Sequence, residues 1–177
     1  MKKLILWVIL LFGSVSLLAG PLGLGIGIHG GVELMVPEGE DSETETYPAI
    51  GGLIEFSLPG IPIGLRGDFE YSWKSFEGDV KNTTMLILLS GQYNLVLPGA
   101  PMSFYAGIGG EMAISGADLP DPLPDPENET DFGFLAYAGA NYSVGIVKIF
   151  AEVGYGMIFS DPSLTHIPLR GGIKLSL

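Results

Sequence analysis

From Leu22 onward, hydrophobic and polar residues alternate with period two. Between Ile63 and Trp73, Gly64, Arg66, Asp68, Glu70 and Ser72 interleave with Ile63, Leu65, Gly67, Phe69, Tyr71 and Trp73. Successive strand side chains point to opposite faces, so this segment is a strand with one polar and one apolar face; a helix would mix the two sets. The same alternation predicts eight strands, at 22–36, 47–58, 61–76, 83–97, 102–115, 132–144, 147–159 and 167–177. Charges that share a strand also share a parity: His29 with Glu33, Arg66 with Asp68, Glu70 and Lys74, Lys148 with Glu152, and Arg170 with Lys174. Glu55 and Glu111 stand alone in theirs. Random placement would give that agreement about once in sixty-four. The opposite face is left with Ile26, Ile28, Val32, Ile54, Phe56, Ile87, Leu89, Ile108, Ile149, Val153, Ile173, Leu175 and Leu177.

The connections alternate in length. Leu58-Pro59-Gly60-Ile61-Pro62 and Leu97-Pro98-Gly99-Ala100-Pro101 are short and carry the Pro-Gly pair of a type II turn. The links near 37–46, 77–82, 116–131 and 160–166 are longer and mostly polar. Strands of about 12 to 15 residues, tilted near 45°, reach roughly 28 to 35 Å, enough for an apolar band about 25 Å tall. Closing the sheet leaves no unpaired edge, the condition for strands to span a medium without hydrogen-bonding partners.

Which face meets water decides between two kinds of barrel. A soluble barrel puts charges outside; a membrane barrel inverts this. The polar face carries few charges and is otherwise rich in Gly, Ala and Ser, which suits a narrow interior, whereas the apolar face is too bulky to fit inside eight strands. Aromatics on the apolar face gather in two belts, Phe56, Phe104 and Tyr142 toward the short turns and Tyr71, Trp73, Phe134 and Phe159 toward the long loops. The expected fold is therefore all-β, an eight-stranded antiparallel up-and-down transmembrane β-barrel, with its apolar face toward lipid. An even strand number puts both termini on the short-turn side, the periplasmic side of such a barrel.

Composition narrows the alternatives. The chain of 177 residues holds 47% hydrophobic and 16% charged residues. Beyond residue 18 no apolar run reaches the roughly 18 to 20 residues of a spanning helix, which excludes a helical bundle. Met1-Lys2-Lys3 followed by the apolar stretch Leu4 to Leu18 reads as a signal peptide over 1–20, cut after Ser16, Ala19 or Gly20, with 21–177 as the barrel domain. The absence of cysteine removes disulfides, thiol nucleophiles and zinc–thiolate sites. A net charge of −12 argues against a nucleic-acid partner.

These features resemble the small eight-stranded outer-membrane barrels, the OmpA transmembrane domain and OmpX class, over essentially all of 21–177. The last eight residues, Arg170 to Leu177, add the polar, x, Gly, x, x, apolar, x, apolar pattern through Arg170, Gly172, Leu175 and Leu177. The final Leu177 departs from the Phe with which bacterial members usually end. The resemblance implies a place in the cell outer membrane, contact with its lipid, and insertion by the barrel-assembly machinery.

Confined charges persist only when paired. His29, Glu33, Glu55, Arg66, Asp68, Glu70, Lys74, Glu111, Lys148, Glu152, Arg170 and Lys174 are accordingly expected to form a salt-bridge network that plugs the lumen, as in the OmpA-like family. The other use of such a ladder is an ion path, which would make the protein a narrow pore. The four long connections contain 14 of the 20 acidic residues against one base, Lys81. That rim reads as a solvated surface for external contacts, with Asp121, Asp125 and Glu127 as candidate oxygen ligands for weakly held divalent cations. Asp161, Ser163 and His166 fall in the last connection and could assemble a nucleophile, base and orienter, as in an acyl-transfer enzyme at the outer rim. No motif of such an enzyme accompanies them, and they read more simply as turn residues. His29 and Glu33 lie about 13 Å apart on a strand and cannot share a metal. Gly23, Gly25 and Gly27 alternate within a strand and open no phosphate-binding helix. The expectation is a non-enzymatic structural or surface-interaction barrel without cofactor or metal.

Overall fold

The computed structural model describes residues 23–37, 44–57, 60–76, 81–118 and 128–177. These form eight strands: β1 Gly23–Pro37, β2 Glu45–Ser57, β3 Ile63–Ser75, β4 Lys81–Val96, β5 Met102–Asp118, β6 Glu129–Val144, β7 Val147–Ile158 and β8 Leu164–Ser176. Each pairs antiparallel with the next, and β1 closes on β8. The segment 1–20 with the expected signal peptide, the turn residues Leu58 and Pro59, and the loop acids Glu38, Glu40, Asp41, Glu43, Glu77, Asp79, Asp121, Asp125 and Glu127 lie outside the described residues.

Three short links stand at one end. At β4–β5 the Ala100 N–H donates to the Leu97 carbonyl over 3.1 Å, and Gly99 takes φ of 78°. That closes the type II turn, whose third residue must adopt positive φ. Gly60 repeats the same φ at β2–β3, and Gly145, at 64°, turns β6 into β7 with Val144 opposite Val147. The longer connections all leave from the other end, as does the unusually extended β5–β6 hairpin, which is paired up to Ser115 opposite Glu129. The start of β1 and the end of β8 share the short-turn end, where Gly25 faces Ser176.

The faces are sorted as the alternation demands. Ile28, Leu89 and Ile108 project outward, with 64%, 70% and 63% of their surface exposed, while Arg66, Glu33 and His166 are fully enclosed. On the outer surface Phe56, Phe104 and Tyr142 ring the short-turn end. Toward the loops, Tyr71 and Trp73 stack at 5.8 Å and Phe134 meets Phe159 at 6.1 Å. Along β6, Phe132 and Tyr142 both point outward from opposite ends. Ten residues separate them, roughly 33 Å along the strand and about 25 Å along a tilted barrel axis.

The interior differs in one respect from the small-residue filling expected of it. Leu88, Tyr105, Leu135 and Tyr137, from β4, β5 and β6, form a buried cluster, and Leu86, Ala113 and Ile158 form another that Leu164 covers. Small residues do occur, but as spaces for large ones. A Cβ on Gly139 would lie 2.5 Å from the Tyr105 ring, and one on Gly156 would overlap the His166 imidazole. In so narrow a lumen a ring fits only where the facing position has no side chain.

Candidate functional site

Inward positions on five strands bring a continuous set of ions together. Arg66, Asp68 and Glu70 alternate along β3, so all three point into the lumen. Arg66 pairs with Asp68 on its own strand and crosses to Glu152 on β7. Its guanidinium also sits over the Tyr137 ring, 4.7 Å from the centroid, where the apolar cluster meets the ionic one. Arg170 on β8 reaches Glu70 at 2.7 Å, Glu33 at 3.3 Å and Glu152 at 3.5 Å. The 2.7 Å contact, from Nε to Oε2, is an ion pair by proximity, since that N–H does not point along it; the aligned bond runs from Nη2 to Glu70 Oε1 at 3.2 Å. His29 Nε2 lies 2.9 Å from Asp68, and its Nδ1 approaches Glu70 at 3.5 Å without a hydrogen bond.

His166 completes the network and corrects the reading of the last connection. Because β8 begins at Leu164, His166 is a strand residue with the inward parity of Arg170 and Lys174. Its Nδ1 lies 2.9 Å from Glu33 and its Nε2 2.7 Å from Glu111. Each contact needs a hydrogen between nitrogen and oxygen, so the Glu33–His166–Glu111 unit holds two shared protons. Both ring nitrogens are thereby engaged, and none is left to activate Ser163. The Asp161, Ser163 and His166 grouping is not a catalytic arrangement in this structure.

Three lysines differ from the expected network. Lys74 lies apart from the central ions, pairing at 3.1 Å with Glu45 toward the loop end, beside the rings of Tyr47 and Phe76. Glu45, counted with the first loop, is the first residue of β2. Lys148 lines the short-turn mouth and has no carboxylate within ion-pair distance among the described residues. Lys174 binds Glu55 at 2.7 Å and lies over the Tyr105 and Phe150 rings, apart from the central cluster. The centre thus holds Glu33, Asp68, Glu70, Glu111 and Glu152 against Arg66, Arg170, His29 and His166. Even with both imidazoles protonated, acids exceed bases by one.

The arrangement can neutralise and fill a lumen; it presents no nucleophile with a free base. Among the described residues no three His, Asp or Glu side chains are grouped as a metal site. Of the terminal pattern, Arg170 and Gly172 face inward, the latter leaving room for Phe150, while Leu175 and Leu177 are exposed on the outer face.

No protein-family model and no curated protein sequence matches the chain. Solved structures do. Neisserial surface protein A superposes with a TM-score of 0.66 at 14% identity, over 88% of this chain and 97% of its own. The chain folds as the small outer-membrane barrels do. A major outer membrane protein from Thermus thermophilus matches with a TM-score of 0.63 at 10% identity, over 88% of this chain and 99% of its own. Ail, the attachment invasion locus protein of Yersinia pestis, crystallised in complex with the heparin analogue sucrose octasulfate, matches with 0.56 at 11% identity over 87% and 97%. At these identities the likeness is one of fold.

Proposed function

We propose that the protein is an integral outer-membrane barrel with a plugged interior, serving a structural or surface-interaction role through its acidic loops. The observation that carries this is the inversion of its faces. A continuous wall of Ile28, Leu89, Ile108, Ile149 and Ile173 is exposed while the ions are enclosed. In water that wall would be an apolar patch far larger than soluble monomers tolerate; in lipid it is the matched surface. On this reading the signal peptide is removed on export, both termini sit in the periplasm, and outer-membrane lipid surrounds the wall. The barrel-assembly machinery would recognise Arg170, Gly172, Leu175 and Leu177. The same reading makes the acidic loops a solvated external surface, with Asp121, Asp125 and Glu127 open to weak divalent binding.

Electrophoresis after detergent extraction tests the membrane assignment. A folded barrel should migrate differently before and after boiling, and recovery of the native protein in the aqueous fraction would refute the assignment. The cross-lumen ion network supports a plug over a narrow pore, so planar bilayers containing the protein should show no stepwise conductance. Engagement of both His166 nitrogens supports a non-enzyme, so Ser163→Ala should leave lipid acyl-chain turnover in reconstituted vesicles unchanged.

A further inference from the structure

The short-turn mouth contains a second polar site, separate from the central network. A cavity of about 550 Å³ opens there, lined by Glu55, Asn94, Asn141, Lys148 and Lys174 among others. Lys148 and Lys174 are register partners across β7 and β8, and both point inward. Like charges placed directly opposite repel, and an anion between them relieves that repulsion. Glu55 compensates one of them, at 2.7 Å from Lys174. Lys148 has no side-chain carboxylate within ion-pair distance among the described residues, so one positive side chain of the mouth is left without a side-chain partner.

The neutral side chains around it are also incompletely paired. Asn141 is buried, with 4% of its surface exposed, and its Oδ1 has no hydrogen-bond partner. Its Nδ2 lies 3.2 Å from the Ser103 hydroxyl. Turning the amide over lets that hydroxyl donate to Oδ1, which removes the orphaned oxygen and leaves the enclosed NH2 unpaired instead. Asn94 accepts from Gln92 at 2.8 Å, which leaves its own amide NH2 as a donor. Two ammonium groups and the Asn94 amide thus line one open mouth in which Glu55 is the acidic side chain.

We propose that this mouth binds a small phosphate-type oxyanion, bridged by Lys148 and Lys174 and hydrogen-bonded by Asn94. Glu55 holds Lys174 in the empty site and competes with the incoming anion for it. The size of the cavity admits a phosphorylated small molecule as well as phosphate alone. The geometry is independent of which compartment the mouth faces.

The competition gives the test its sign. The full chain, folded in phosphate-free detergent micelles, is titrated calorimetrically with orthophosphate and with pyrophosphate. Lys148→Ala should weaken binding by about tenfold or more, the loss of one charge-assisted hydrogen bond, and Lys148→Arg should restore most of it. Glu55→Gln should tighten binding several-fold, because it removes the competitor. Lys81→Ala, at the loop end, should change nothing. Boiled and unboiled gel migration establishes that each variant is folded, and the Lys148→Ala and Lys148→Arg pair suffices if Glu55→Gln does not fold. Absence of binding to the wild-type chain at millimolar pyrophosphate would overturn the proposal. So would equal affinities of wild type and Lys148→Ala, or weaker binding by folded Glu55→Gln. Displacement of bound phosphate by short-chain phosphatidylglycerol would identify the natural source as a lipid headgroup, and failure to displace it would identify a soluble anion.

Discussion

Replacing Arg170 with methionine tests whether the enclosed ions hold the barrel together. The guanidinium serves Glu33, Glu70 and Glu152 at 3.3, 2.7 and 3.5 Å. Methionine keeps much of the volume and removes the charge with every donor. Five carboxylates would then face one guanidinium and two imidazoles, so the acidic excess rises from one to two even with both imidazoles protonated. Removing one partner of a buried pair costs about 3–5 kcal/mol, because the other is left charged and without compensation. With a urea slope near 2 kcal/mol per molar, the unfolding midpoint should fall by about 1.5–2.5 M. Urea titration in micelles, followed by Trp73 fluorescence and by gel migration, measures it. Lys74→Met is the comparison. That ammonium pairs with Glu45 where the two side chains are 27% and 34% exposed, so its loss should cost about 1 kcal/mol at most. Adding Glu70→Gln to Arg170→Met should recover part of the loss, since it removes one of the stranded charges. Equal midpoints for Arg170→Met and Lys74→Met would refute the claim that the central network stabilises the fold.

Two other substitutions probe the wall and the packing of the lumen. Leu89→Arg puts a charge on an outward position that is 70% exposed, and in a lipid-facing wall it should cost about 2–4 kcal/mol and lower the folding yield into vesicles; a higher yield would contradict the membrane assignment. Gly156→Ala drives a methyl into the His166 ring, whereas Gly110→Ala adds one with nothing within 4 Å. Thermal unfolding should separate them, with a loss of about 1–3 kcal/mol for the first and little change for the second.

The strands were legible because one side of the sheet is apolar and the other is not. In β3 the charges Arg66, Asp68 and Glu70 fix the parity by themselves, and the register follows. The same signal fails at Leu86-Ile87-Leu88-Leu89, where both sides are apolar and alternation carries no information. Leu86 and Leu88 therefore belong to an interior that a search by charge does not detect. His166 was missed for a different reason. Pro162, Ser163 and Pro168 have the composition of a turn, yet Pro168 occupies an inward position within β8 and pairs in register with Glu33. Extending the strand by three residues, on the parity that His166 shares with Arg170, is the step that would have recovered it. The pairings among the interior charges were beyond reach, because parity assigns a face but not a height or a distance. Lys148 shares a parity with Glu152, and Lys174 with Arg170, yet both lysines sit outside the central cluster.

The residues that tie the network together lie on the strand that is made last. Arg170 meets Glu33 from 137 positions away, Glu70 from 100, and His166 meets Glu33 from 133. No isolated hairpin contains any of these ties, and none can form before the ring shuts between the first strand and the eighth. Assembly is therefore expected to end in a single concerted step in which seam and ions lock together, because contacts this distant along the chain return energy only after the whole circuit has been closed.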